Sequence, residues 1–189
     1  MAVERRYWWV VLVAGVVGVA ATITQIVERI TLAKDPGAEL VCDFSSTVSC
    51  GGVLTAWQSS ALGIPNATIG LAVFAFFTSA AVSGLLGSQV SRAFRYVLVG
   101  LALFMLAFTL WFLFQSTFVL NAVCVYCLAI GLAVVSTNFA ALRLLVADGG
   151  LDRGGVVGFA RRFVTSGDDR WLWLALVVGI GVAMFLVLG

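Results

Sequence analysis

Five uninterrupted apolar runs, at residues 7–27, 67–87, 96–115, 123–146 and 171–188, decide what this chain can fold into. Each approaches the roughly 20 residues that a helix needs to cross a bilayer. No water reaches the hydrocarbon core to satisfy backbone N–H and C=O groups, so only helices and closed barrels span it. Barrel strands alternate apolar with polar residues; these runs are continuous, which selects helices. Of 189 residues, 62% are hydrophobic and 11% charged, where soluble domains run at about 45–50% and 25%. The mean hydropathy is +1.11. The first run has no small-residue cleavage pattern and reads as a retained span rather than a signal peptide. No repeat or low-complexity segment interrupts the pattern. The expected fold is an all-α integral membrane protein with five transmembrane helices.

Loop charge orients it. Arg5 and Arg6 precede the first run, Arg92 and Arg95 lie between the second and third, and Arg143, Arg153, Arg161, Arg162 and Arg170 lie around the fourth-to-fifth connection. The first connection holds Arg29 and Lys34 against Glu28, Asp35, Glu39 and Asp43, and residues 116–122 carry no charge. Lys and Arg accumulate on the cytoplasmic side. Nine of the eleven basic residues then fall inside, with the N-terminus cytoplasmic. The net charge of +2 has no bearing on nucleic acid.

That orientation puts all four cysteines on the outer, oxidising face. Cys42 and Cys50 lie in the outer loop of residues 28–66, and Cys124 and Cys127 open the fourth span as Cys124-Val125-Tyr126-Cys127. A C-x-x-C at a helix start meets the positive end of the helix dipole and unpaired backbone N–H groups, which favour a thiolate. This matters in a chain with no histidine. Thiol–disulfide exchange needs such a thiolate. Cys124 is expected to be the more exposed of the two, and Cys127, one turn deeper, to face the apolar interior. A short surface helix is expected after Cys50, with Ser49 as its N-cap, and Asn66 is expected to cap the second span.

The plainer readings are a buried small hydrophobe for each cysteine, a stapling disulfide in an exported loop, and a four-cysteine zinc site. Seven residues between Cys42 and Cys50 is long for zinc ligands, and an oxidising compartment disfavours free thiolates. The spans hold few ionisable groups, which argues against a pump or ion channel and leaves room for an apolar electron acceptor such as a membrane quinone. Tyr7, Trp8, Trp9, Trp171 and Trp173 read as interfacial anchors. Phe104, Phe108, Trp111, Phe112 and Phe114 read as packing residues of the third span, one or two of them bordering a pocket. The basic stretch of residues 153–162 reads as a topology signal that touches anionic lipid.

Taken together, Cys42-Asp43, Val48-Ser49-Cys50, Gly63-Ile64-Pro65-Asn66 with Gly70, and Cys124-Val125-Tyr126-Cys127 resemble the vitamin K epoxide reductase family over about residues 6–143. The chain is similar to the bacterial branch that acts like DsbB. The resemblance implies residues 1–147 as a four-helix redox domain around a quinone, menaquinone or ubiquinone. A cytoplasmic basic loop at 148–170 and a peripheral fifth helix at 171–189 would follow. It implies a quinone-dependent thiol–disulfide oxidoreductase of the bacterial plasma membrane that reoxidises an exported, separate thioredoxin-fold (DsbA-like) protein and supports disulfide bond formation. Cys50 would take electrons from that protein, Cys42 would pass them to Cys124, and Cys127 would face the quinone. Asp43 would hold or activate the loop pair, and Asn66 would hydrogen-bond the quinone carbonyl. No metal is implied. Reduction of vitamin K quinone or epoxide, and a purely structural subunit with stapling disulfides, are the alternatives. The chain has Ala56 where the family often has serine, with Thr55 or Ser59 as substitutes, and Gly131 where animal members have tyrosine.

Overall fold

The computed structural model describes residues 2–45, 47–147 and 155–188 and, among them, contains helices and no strand. Among the described residues, four helices are long and apolar enough to cross a membrane: α1 (Ala2–Lys34), α3 (Asn66–Leu85), α4 (Arg92–Phe114, continued by a π-turn at Gln115–Val119) and α5 (Val125–Ala147). The short α2 (Cys50–Thr55) and a 3₁₀ turn (Trp57–Ser60) lie between α1 and α3, and α6 (Gly155–Ser166) and α7 (Asp169–Leu188) follow α5. The segment expected as a basic loop is therefore helical from residue 155 to 166. Its earlier part, with Arg153, lies outside the described residues. Arg161 and Arg162 are exposed on α6.

Helix α1 is the axis of the bundle, packing on α3 along one side and α5 along another, while α4 packs on α5. Lipid offers no hydrophobic drive for helices to meet, so close approach by small residues supplies the contact. A Cβ at Gly18 would fall 2.3 Å from the Phe74 ring, one at Gly84 equally close to Trp8, and one at Gly15 2.5 Å from Thr78 Oγ1. Phe74 and Phe77 are fully buried in the resulting core. Buried Asn138 ties α5 to α4, donating to Ala102 O at 2.8 Å.

Arginines at the end of the bundle opposite the cysteines also lock helices together. Arg95 reaches Glu4 at 3.1 Å and donates to Leu144 O at 2.7 Å. Arg143 donates to Asp169 Oδ2 at 2.8 Å and to the Tyr7 hydroxyl at 3.1 Å, with its guanidinium 4.9 Å from the Phe139 ring centre. Asp169, fully buried at the start of α7, is thereby fixed to α5.

At 1.5 Å per residue the 33 residues of α1 extend about 50 Å, well beyond a hydrocarbon core of about 30 Å. Its C-terminal turns therefore rise at the end of the bundle opposite Glu4, beneath the cysteine loop. Glu28 and Arg29, expected near the boundary of a span, lie well inside this helix.

Candidate active site

The loop between α1 and α3 folds back onto the bundle through α2. Ser49 caps it as expected, its hydroxyl accepting from Gly52 N at 3.3 Å. One face of α2 turns Cys50, Val53 and Leu54 inward. Cys42 and Cys50 are joined as a disulfide. Asp43 receives the Gly51 N–H at 3.1 Å. Desolvation pushes its carboxyl up, but the N–H of Gly51, the Ser49 hydroxyl and the N–H of Cys50 outweigh that and hold its pKa below the ordinary carboxylate value. Asp43 thus fastens the loop cysteines by an anion at the start of α2.

A second tether docks this loop on the lead into α5: Val123 N donates to Thr47 O at 2.8 Å. The π-turn and Asn121, whose φ of 49° is one that asparagine tolerates, bring the chain round to Cys124. Cys124 Sγ lies 3.1 Å from Cys50 Sγ. The neighbouring thiol of Cys127 favours the Cys124 thiolate. Burial opposes this, while the backbone N–H groups of Cys127 and Tyr126 and the Gln25 amide favour the thiolate too; the net effect holds Cys124 below the ordinary thiol value.

The contact departs from the expected order in one respect: Cys50, not Cys42, meets Cys124. Cys50 sits at the first turn of α2 with its side chain directed down onto α5, whereas Cys42, on the preceding loop, is directed at α1. The expected exposure of Cys124 is also reversed. It is fully buried beneath the loop, and Cys127 is 7% exposed, because the docked α2 covers the helix start.

Cys127 forms part of the wall of an open-mouthed cavity bounded by α1, α2, α3, α4, α5 and the 3₁₀ turn. Phe104, Phe108 and Phe112 of α4 line it, along with Asn66, Gly70 and Ile130. Asn66 is the first residue of α3 rather than its cap. Its amide donates to Gln58 O at 2.6 Å, and its Oδ1 is buried without a partner. Ser59 borders the cavity and Thr55 does not. At Gly131 the nearest neighbours are Leu113 and Thr109 of α4.

Three site residues escape a reading of the cysteine motifs, and all lie on α1. Gln25 donates to Cys127 Sγ at 3.1 Å and approaches Cys124 Sγ at 3.8 Å. Glu28 lies against Cys42. Arg29 holds Ser59 Oγ at 3.0 Å and Ser60 Oγ at 2.7 Å, fixing the 3₁₀ turn over the cavity. The available signal was their spacing. With Thr22 they form a polar stripe at i, i+3 and i+6 or i+7 on an otherwise apolar helix. The Glu28 carboxylate and the Cys42 and Cys50 sulfurs lie within 4.8 Å of one another, but sulfurs joined as a disulfide offer no thiolate ligands.

The arrangement is a chain of four sulfurs leading from a surface loop to an aromatic-walled cavity. No curated protein matches the chain. A family model described as the vitamin K epoxide reductase family matches residues 9–142, which takes in all four cysteines, Asp43 and Asn66. The chain therefore belongs to the vitamin K epoxide reductase family, and with it to the oxidoreductases.

Proposed function

We propose that this protein oxidises the dithiol of a separate, extracytoplasmic thioredoxin-fold protein and delivers the two electrons to a membrane quinone, menaquinone or ubiquinone. The observation that carries this reading is the 3.1 Å approach of Cys124 to Cys50, with Cys127 in the cavity wall behind it.

The cavity fits a quinone. Three phenylalanines supply flat apolar walls, and the unpartnered Asn66 Oδ1 calls for a polar ligand group. Asn66, the α4 phenylalanines and Cys127 would hold it. When bound, a quinone supplies a lipid-soluble acceptor for two electrons and two protons.

The protein's own residues order the transfer. A thiolate of the reduced thioredoxin-fold protein attacks Cys42 Sγ, breaking the Cys42–Cys50 bond and releasing Cys50 as thiolate. The second thiol of that protein then displaces Cys42 and closes its own disulfide. Cys50 attacks Cys124 of an oxidised Cys124–Cys127 pair, forming Cys50–Cys124 and freeing Cys127 toward the cavity. Cys42 afterwards displaces Cys124 from Cys50, and the Cys124–Cys127 pair gives up its electron pair. The supported order is Cys42, Cys50, Cys124, Cys127, with the first two exchanged relative to the order implied by resemblance. Asp43 keeps the loop pair docked.

The setting we infer is a bacterial plasma membrane, with the N-terminus and Arg5, Arg6, Arg92 and Arg95 cytoplasmic and the sulfurs outside. Helix α7 is a fifth span in this reading. It starts at the Arg143–Asp169 pair and meets the 115–119 turn at the opposite end of the bundle. The test is Cys127→Ser in purified protein supplied with quinone and a reduced thioredoxin-fold dithiol. Quinone reduction is expected to stop, and continuation at the parental rate would refute the relay.

A further inference from the structure

The relay leaves a proton problem. Cys42 must lose a proton before it can displace Cys124 from Cys50, and must regain one when it leaves as a thiol. The chain has no histidine, and no lysine or arginine contacts the Cys42 sulfur among the described hydrogen bonds.

Glu28 is in place for this. Its side chain is 7% exposed, and its two carboxylate oxygens lie 3.4 and 3.5 Å from Cys42 Sγ. In the disulfide that sulfur has no proton to give, so the contact gains a hydrogen bond only once Cys42 is a thiol. The Tyr126 hydroxyl, from within the C-x-x-C itself, faces the same carboxylate. Buried carboxyl groups are costly unless paired, and this one faces a redox sulfur rather than a cation. Arg29, next in the helix, is turned away to Ser59 and Ser60.

We propose that Glu28 is the general base and acid for Cys42. This rests on the relay proposed above. As Cys42 attacks Cys50 of the Cys50–Cys124 disulfide, its thiol proton passes to the Glu28 carboxylate. The Cys42–Cys50 bond forms, the Cys50–Cys124 bond breaks, and Cys124 departs as thiolate. The exchange is redox-neutral, and the proton leaves Glu28 for solvent past the exposed loop. In the reverse direction the same carboxyl protonates the departing Cys42. The titratable groups facing Glu28 are Tyr126 from α5 and Asp43 from the loop, besides Cys42; α2 brings no charged side chain.

The test follows disulfides rather than quinone. Fully oxidised full-length protein in detergent receives one equivalent of dithiothreitol, is quenched with N-ethylmaleimide at intervals, and its disulfides are mapped. At pH 7 an ordinary thiol is only about 3% thiolate. Glu28→Gln should therefore let Cys50–Cys124 accumulate and slow its conversion to Cys42–Cys50 by about 10–30-fold. The deficit should vanish as pH approaches 9, where solvent deprotonates Cys42, and Glu28→Asp should retain most of the parental rate. Tyr126→Phe keeps the carboxyl, removes its hydroxyl partner and should shift the pH midpoint of the same step. It serves should Glu28→Gln fail to fold. Parental rate and pH profile in Glu28→Gln, or an unmoved midpoint in Tyr126→Phe, would overturn the role of Glu28 alone. If Cys50–Cys124 never forms in the parental protein, the relay falls together with it.

Discussion

Replacing Gln25 by leucine removes the one side-chain amide that reaches both buried thiols. Its Nε2 lies 3.1 Å from Cys127 Sγ and 3.8 Å from Cys124 Sγ, and the residue is 5% exposed. A hydrogen bond to a charged group contributes about 1.5–3 kcal/mol, so the C-x-x-C thiolate population at fixed pH should fall by about 10- to 150-fold. Part of this is recovered, because a more basic thiolate is a better nucleophile, with a Brønsted slope of about 0.4–0.5. The net loss in rate is then about half to three-fifths on a logarithmic scale, or roughly 3- to 20-fold. The assay is the reaction of fully reduced protein with a lipophilic aromatic disulfide such as dithiodipyridine, followed by released thiopyridone between pH 6 and 9. Steady-state quinone reduction should slow by a similar factor. The deficit should shrink with rising pH, since leucine affects how much thiolate exists and not whether it can react. A Gln25→Leu protein that reacts at the parental rate at pH 6–7 would refute the reasoning, and so would a deficit independent of pH.

Three further outcomes follow from the geometry. Asn66→Ala should raise the KM for quinone about fivefold, the equivalent of about 1 kcal/mol for one hydrogen bond, while mapping still finds Cys42–Cys50; an unchanged KM would remove Asn66 from the quinone site. The Asp43 carboxyl is held below its ordinary value of 3.8, so its contribution to loop docking is complete above that pH and is lost as pH falls through the lowered value. Hydrogen exchange of the 40–55 segment should therefore accelerate only under strong acid in the parental protein, and at every pH in Asp43→Asn. Asp169→Asn breaks a pair whose side chains are 0% and 10% exposed. With Arg143 left unpaired the penalty approaches about 3 kcal/mol; protease cleavage between α6 and α7 should increase while the relay rate stays parental.

The apolar runs predicted four helices to within a few residues at most ends, because about 20 consecutive apolar residues admit few other structures in lipid. The largest error was at α1, expected to end near residue 27 and observed to continue to Lys34. Hydropathy reports where lipid stops, whereas a helix continues for as long as its hydrogen bonds are satisfied. Helix α6 was missed for a related reason: its arginines read as loop charge, although an amphipathic helix holds the same residues on one face. Ser49 as cap of α2 was legible because the cap is a local interaction. The approach of Cys50 rather than Cys42 to Cys124 was not. It depends on how α2 rolls onto α5, and this is settled by contacts 74 residues apart in sequence. Gln25, Glu28 and Arg29 lay in plain view as a polar stripe, but nothing local says which sulfur or hydroxyl each will meet.

The hydrogen bond from Val123 N to Thr47 O bears on competition from free thiols. Exchange between sulfurs of one chain is first-order, and by holding one sulfur pair over the other this contact raises their effective concentration. Well-oriented groups in one molecule react as though present at concentrations of order 10⁵ M or more, while dissolved small thiols reach only millimolar levels. An internal step so favoured leaves little time for a stray thiol to intercept it, even with Cys127 briefly unpaired. Weakening that one backbone contact, without touching a cysteine, should raise the share of the sulfurs captured by dissolved thiols.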